Sequence, residues 1–82
     1  MIYKFRFTSE AEKFLDKLTP KDRKKLLIEI YKLPNHHNVK KMKGEENVYR
    51  LRVGDYRVIY ERRDTELVIL VFQIGNRGDV YK

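Results

Sequence analysis

At the start of the chain Tyr3, Phe5 and Phe7 alternate with Lys4 and Arg6. This is the period of two with which a strand shows one face to a core and the other to water. The alternation stops at Thr8 and Ser9, and a different period begins. Ala11, Phe14, Leu15 and Leu18 recur at i, i+3, i+4 and i+7, which predicts an amphipathic helix. Ser9 and Glu12 stand at the spacing of a capping box, where side-chain oxygens accept from the free N–H groups of the first turn. Thr19 and Pro20 open a second helix: threonine serves as cap, and proline at the first helical position loses only an N–H that has no partner there. Leu26, Leu27, Ile30 and Leu33 carry its apolar stripe, and Pro34 is expected to stop it. The outward side of this helical hairpin carries Lys13, Lys17, Lys21, Lys24 and Lys25. They make a positive patch able to meet an RNA backbone, although a solvated helix face is the commoner meaning of such lysines.

Residues 34–47 are polar and lack a period, which predicts a surface loop inside one domain. Adjacent His36 and His37 suggest a metal site or proton shuttle. Neighbours in a loop without cysteine or a spaced carboxylate are poor ligands, however, so solvated histidines are expected.

The pattern returns to period two at residues 48–53 and 56–62, rich in β-branched and aromatic side chains and separated by Gly54 and Asp55. That pair suits a two-residue hairpin turn with glycine first. Such a turn sets Val53 against Tyr56, Arg52 against Arg57, Arg50 against Ile59 and Tyr49 against Tyr60. Tyr49, Leu51, Val53, Tyr56, Val58 and Tyr60 then share the face that packs on the helices, while Arg50, Arg52 and Arg57 gather on the other. The nearest acid of the hairpin on that second face is Glu61. Like charges opposite one another destabilise a ladder by about 0.2–1 kcal/mol per pair, so a fold that keeps three arginines there is expected to place an anion among them. Guanidinium groups present planar paired donors that match phosphate oxygens. Arginines that extend outward from an exposed face, or pair with acids elsewhere in the chain, are the alternative. Residues 66–74 are almost continuously apolar, as in a central strand covered on both faces, and Gly75 is expected to end it. The tail beyond brings Arg77 and Tyr81, the latter a surface anchor if the basic face has no function.

Length and charge narrow the field. A chain of 82 residues buries only about 60% of its unfolded surface, which fits a single domain over 1–82 with its site on an open face or shallow groove. Lysine and arginine number 19 against 12 acids, a net charge of +7. This points to nucleic acid or another polyanion as readily as to a merely basic surface. Without cysteine there is no disulfide framework, thiolate nucleophile or zinc ribbon, and a reducing cytoplasm fits. The longest apolar run, 67–72, is far below the ~20 residues of a membrane helix, and the N-terminus lacks a signal-peptide pattern. A cytoplasmic protein with no membrane partner is expected.

The run Tyr49-Arg50-Leu51-Arg52-Val53-Gly54-Asp55-Tyr56-Arg57-Val58-Ile59-Tyr60 and the closing Gly75-Asn76-Arg77-Gly78-Asp79-Val80-Tyr81 resemble the RelE branch of the RelE/ParE superfamily, toxins of type II toxin–antitoxin systems. The resemblance implies an α+β fold: an N-terminal strand, a helical hairpin and a three-stranded antiparallel meander, with the helices on one face of the sheet. It implies ribosome-dependent cleavage of mRNA in the ribosomal A site, and a cognate acidic antitoxin as partner. It further implies Arg50, Arg52, Arg57, Arg77 and Tyr81 as catalytic residues. The implied reaction is attack of a ribose 2′-hydroxyl on the adjacent phosphodiester, giving a 2′,3′-cyclic phosphate without metal or cofactor. Arg50 and Arg52 replace lysines of some relatives. Because a guanidinium is a poor proton acceptor, the role of base passes to Tyr81. Asn76 stands where many relatives have histidine, so one proton carrier is missing. A ParE-like poison of DNA gyrase and a noncatalytic RNA-binding module are the competing readings.

Overall fold

A computed structural model of the chain describes residues 2–76. Their elements are β1 (Lys4–Phe7), α1 (Ser9–Asp16), α2 (Pro20–Ile30), β2 (Val39–Lys41), β3 (Val48–Val53), β4 (Tyr56–Arg63) and β5 (Val68–Asn76). The strands form one five-stranded sheet in the order β1-β5-β4-β3-β2. β1 runs parallel to β5, and the other three pairings are antiparallel. Ala11 and Leu15 of α1 and Leu26 and Ile30 of α2 share a core with Leu51, Val58, Tyr60, Ile69 and Val71 of the sheet. The α+β class with helices on one sheet face therefore holds. Among the described residues no helix is long and apolar enough to cross a membrane.

Local chemistry explains most element ends, and some differ from the expected ones. Thr8, not Ser9, caps α1: its backbone is extended at φ −69° and ψ 162°, and its Oγ1 accepts from the Ala11 N–H at 3.2 Å. The same hydroxyl donates to the Phe72 carbonyl at 3.0 Å. It thus ties the helix start to β5, an anchor Ser9 lacks because it is already helical. Thr19 caps α2 as expected, accepting from the Asp22 N–H at 3.2 Å with proline next in the chain. That helix ends at Ile30, before Pro34, and Leu33 enters the core from the turn that follows. Proline disfavours the helical conformation of the residue before it, so the backbone leaves the helix ahead of the ring.

The hairpin register is the expected one, with Val53↔Tyr56, Arg52↔Arg57, Arg50↔Ile59 and Tyr49↔Tyr60 paired. Gly54 has φ +56°, and Asp55 is not among the residues with positive φ, as the glycine-first turn requires. An added Cβ at Gly54 would meet nothing within 4 Å, so backbone conformation and not space selects glycine there. Segment 34–47 is not wholly loop. It contains β2, an edge strand whose Val39 packs on the core opposite Leu51. β5 begins at Val68, after Leu67 turns the chain at φ 55°. Gly75 does not end it; this residue is buried and paired with Arg57.

Candidate functional site

Strand alternation alone separates the two faces of the hairpin. Leu51, Val53, Val58 and Tyr60 point into the helix-covered core, so Arg50 and Arg52 of β3 and Arg57 of β4 emerge on the opposite side. Arg52 and Arg57 are direct cross-strand partners, and Arg50 lies one pair further along, opposite Ile59. Ile59 is fully buried yet stands outside the helix-side core. It lies buried across the ladder from Arg50.

The charge balance of this face is one-sided. β1 adds Lys4 and Arg6, which alternate with the core-packed Tyr3, Phe5 and Phe7. Glu61 carries the hairpin's acid, and its Oε1 is held by Arg63 Nε at 2.6 Å. Arg50 and Arg52 form no ion pair with a described residue. Arg57 Nη1 donates to the Tyr56 carbonyl at 3.5 Å, a long and weak contact. Two neighbouring phenols are not proton acceptors. Burial in the core pushes the Tyr60 hydroxyl well above the ordinary phenol range. Burial, reinforced by Asp22, also raises that of Tyr56.

Not every expected site residue joins this cluster. Lys13, Lys17, Lys21, Lys24 and Lys25 are all exposed, but their helices cover the opposite side of the sheet, so they cannot share a phosphate with the arginines. Arg77 and Tyr81 lie outside the described residues; β5 ends at Asn76, one residue beyond the Gly75–Arg57 pair. The expectation of solvated histidines is corrected at His36, whose side chain is only 3% exposed. Its Nδ1 accepts from the Asn38 N–H at 3.0 Å, so Nε2 is the nitrogen left to donate to Glu29 Oε1, 2.8 Å away. That bond, with help from Lys32, holds the Glu29 carboxyl below its ordinary value. His36 thus fastens α2 to the approach of β2. Among the described residues no group of three or more histidine, cysteine or acidic side chains is placed to hold a metal. Sequence reasoning missed Lys40, which β2 sets directly opposite Arg50. Its strand, Val39–Lys41, is too short to show a period in the sequence.

Comparison with known proteins gives this geometry a context. The model of the ParE toxin family of type II toxin–antitoxin system parDE matches residues 5–81. The chain belongs to the RelE/ParE superfamily of toxins. A Methanocaldococcus jannaschii protein with the provisional name toxin RelE1 is 36% identical over 76 residues, covering 85% of this chain and 84% of the relative. The archaeal RelE–RelB complex of Pyrococcus horikoshii is similar in structure, with a TM-score of 0.77 and 30% identity over 98% of this chain and 100% of that one. The isolated Escherichia coli RelE toxin has a TM-score of 0.75 and 25% identity over 95% and 87%. The superfamily match spans the whole arginine hairpin and the Arg77–Tyr81 tail.

Proposed function

We propose that this RelE-like toxin is an endoribonuclease that cuts mRNA in the ribosomal A site by 2′-hydroxyl attack. The observation that carries the reading is the sheet face opposite the helices, on which Arg50, Arg52 and Arg57 gather, while the hairpin's acid on that face is engaged by Arg63. In the transition state the attacked phosphate becomes a pentacoordinate dianion. Fixed guanidinium forks are worth most where such charge develops, since they need no rearrangement at the moment of reaction. Arg77 adds a further fork, and the Tyr81 phenolate takes the 2′-proton. Cations near a phenol favour its phenolate form. The arginines supply the positive charge a metal would otherwise bring, so the reaction runs without metal or cofactor.

The partner that silences the toxin is a cognate acidic antitoxin, as solved relatives are complexes of RelE with RelB. A net charge of +7 favours a partner of opposite sign. Coexpression of the neighbouring acidic gene should restore growth. The test of the reading is to give the toxin to translating ribosomes and map the messenger ends. Cleavage leaving a 2′,3′-cyclic phosphate and a 5′-hydroxyl is expected. The ParE description of the matching family model favours a second reading, inhibition of DNA gyrase. Intact messenger together with arrested supercoiling would select it.

A further inference from the structure

Among the described residues, the arginines of β3 and β4 do not supply one thing the proposed reaction needs: a group to protonate the departing 5′-oxygen. As the P–O5′ bond breaks its electron pair stays on oxygen, and an alkoxide leaves poorly without a proton. A guanidinium does not release one at neutral pH. Glu61 is committed to Arg63, and Lys4 stands on β1, at the far edge of the sheet from β3.

Building on the endoribonuclease reading, we infer that Lys40 of the edge strand β2 is the proton donor to the 5′-oxygen. Lys40 pairs with Arg50, while Val39 pairs with Leu51 and packs on the core. The alternation therefore delivers the lysine to the arginine face. Directly opposed residues have Cβ atoms about 4.5–5.5 Å apart, and diagonal neighbours lie about 7–8 Å away, which brings Arg50 and Arg52 within reach of one phosphate together with Lys40. The strand around it is held on both sides: the Arg52 N–H donates to the Asn38 carbonyl at 3.1 Å, and the Met42 N–H to the Val48 carbonyl at 2.8 Å. Lys40 is exposed and forms no ion pair with a described residue. Lysine carries donors that, unlike those of arginine, can be given up. The step balances as follows. The 2′-proton passes to the base, the O2′–P bond forms, the P–O5′ bond breaks, and Nζ of Lys40 gives its proton to O5′. Water then restores the ammonium. The edge strand thus restores a lysine to a site whose adjacent strand carries arginine at both basic positions.

The test compares two messengers on translating ribosomes, one natural and one with a bridging 5′-sulfur at the cut site, since a thiolate leaves without protonation. Lys40→Arg and Lys40→Met should each lose about 10²–10⁴-fold in single-turnover cleavage of the natural bond, the usual worth of a positioned proton carrier. Both should cut the sulfur bond near the parental rate, with melting temperatures unchanged. If Lys40→Arg cuts the natural bond like the parent, only charge matters there and the inference is overturned. Equal loss on both bonds would overturn it too, assigning Lys40 to substrate positioning. In either case a parent that cuts the natural bond leaves the endoribonuclease reading standing. If the parent cuts neither bond, that reading falls, and the role of Lys40 with it.

Discussion

The two faces of the β3–β4 hairpin are made by the same residues in alternation, yet they obey opposite rules. On the helix side, Leu51, Val58 and Tyr60 are essentially inaccessible and share one core with residues of both helices. On the other side, Arg52 faces Arg57 across the ladder, and Arg50 faces Lys40 on the next strand. The first arrangement is what burial of apolar area rewards. The second sets like charges against one another, which a ladder disfavours, and it is the arrangement that the proposed phosphate would offset. One face is therefore responsible for the fold, and the other is the one to which the proposed chemistry is assigned.

Truncation should separate these roles. Ile69→Ala, in a fully buried position of the core face, should cost about 2–5 kcal/mol. That is a large part of the 5–15 kcal/mol available to a small domain. Urea unfolding measures it, and a loss below about 1 kcal/mol would mean the helices are not seated on the sheet as described. Arg52→Ala on the opposite face should reverse the pattern. Cleavage falls about 10²–10³-fold, the usual loss when one transition-state donor is removed. Stability changes by under about 1 kcal/mol, with slight stabilisation as repulsion from Arg57 is relieved. A collapsed melting temperature in this variant would make the arginine a structural residue.

A comparable separation applies to Tyr81. Tyr81→Phe keeps the ring, so base stacking survives while proton transfer is lost. Retained ribosome binding with slower cleavage supports the proton-acceptor role, whereas full activity would reduce the residue to a stacking platform. The smallest effect is expected at the periphery. Glu29 and Asp64 titrate below their ordinary values of 4.5 and 3.8, because His36 and Arg62 respectively donate hydrogen bonds to them. A carboxyl depressed in the folded state contributes stability that is present above its unfolded value and lost as pH falls through the folded one. Glu29→Gln should therefore lower the melting temperature slightly at neutral pH, with the difference from the parent closing as pH falls below about 4.5, which flattens the acid limb of the profile. An unaltered acid limb would show that the His36 contact is not linked to folding.

The parts legible in the sequence were those set by short-range rules. A two-residue turn with glycine first determines the register of both strands, and the register determines which side chains share a face. The Thr19-Pro20 start of α2 was equally local. What escaped depended on contacts distant in the chain. Thr8 caps α1 because its hydroxyl also reaches the Phe72 carbonyl, 64 residues away. β2 has only 3 residues, too few for a period to register, and exists because β3 offers it an edge. Gly75 reads as a strand end, but its pairing with Arg57 carries β5 past it. His36 reads as a solvated loop residue because its partner, Glu29, belongs to a helix. Lys40 was overlooked for the same reason as its strand.

The central claim is that the arginine face holds a phosphodiester for attack by the neighbouring 2′-hydroxyl. It is tested most directly by placing a single 2′-deoxynucleotide at the cut site of a messenger on translating ribosomes and comparing its cleavage with that of the all-ribose strand. The account predicts that the ribose strand is cut to a 2′,3′-cyclic phosphate and that the deoxy strand resists. Deoxy messenger cut at the ribose rate would contradict it, as would ribose messenger left intact.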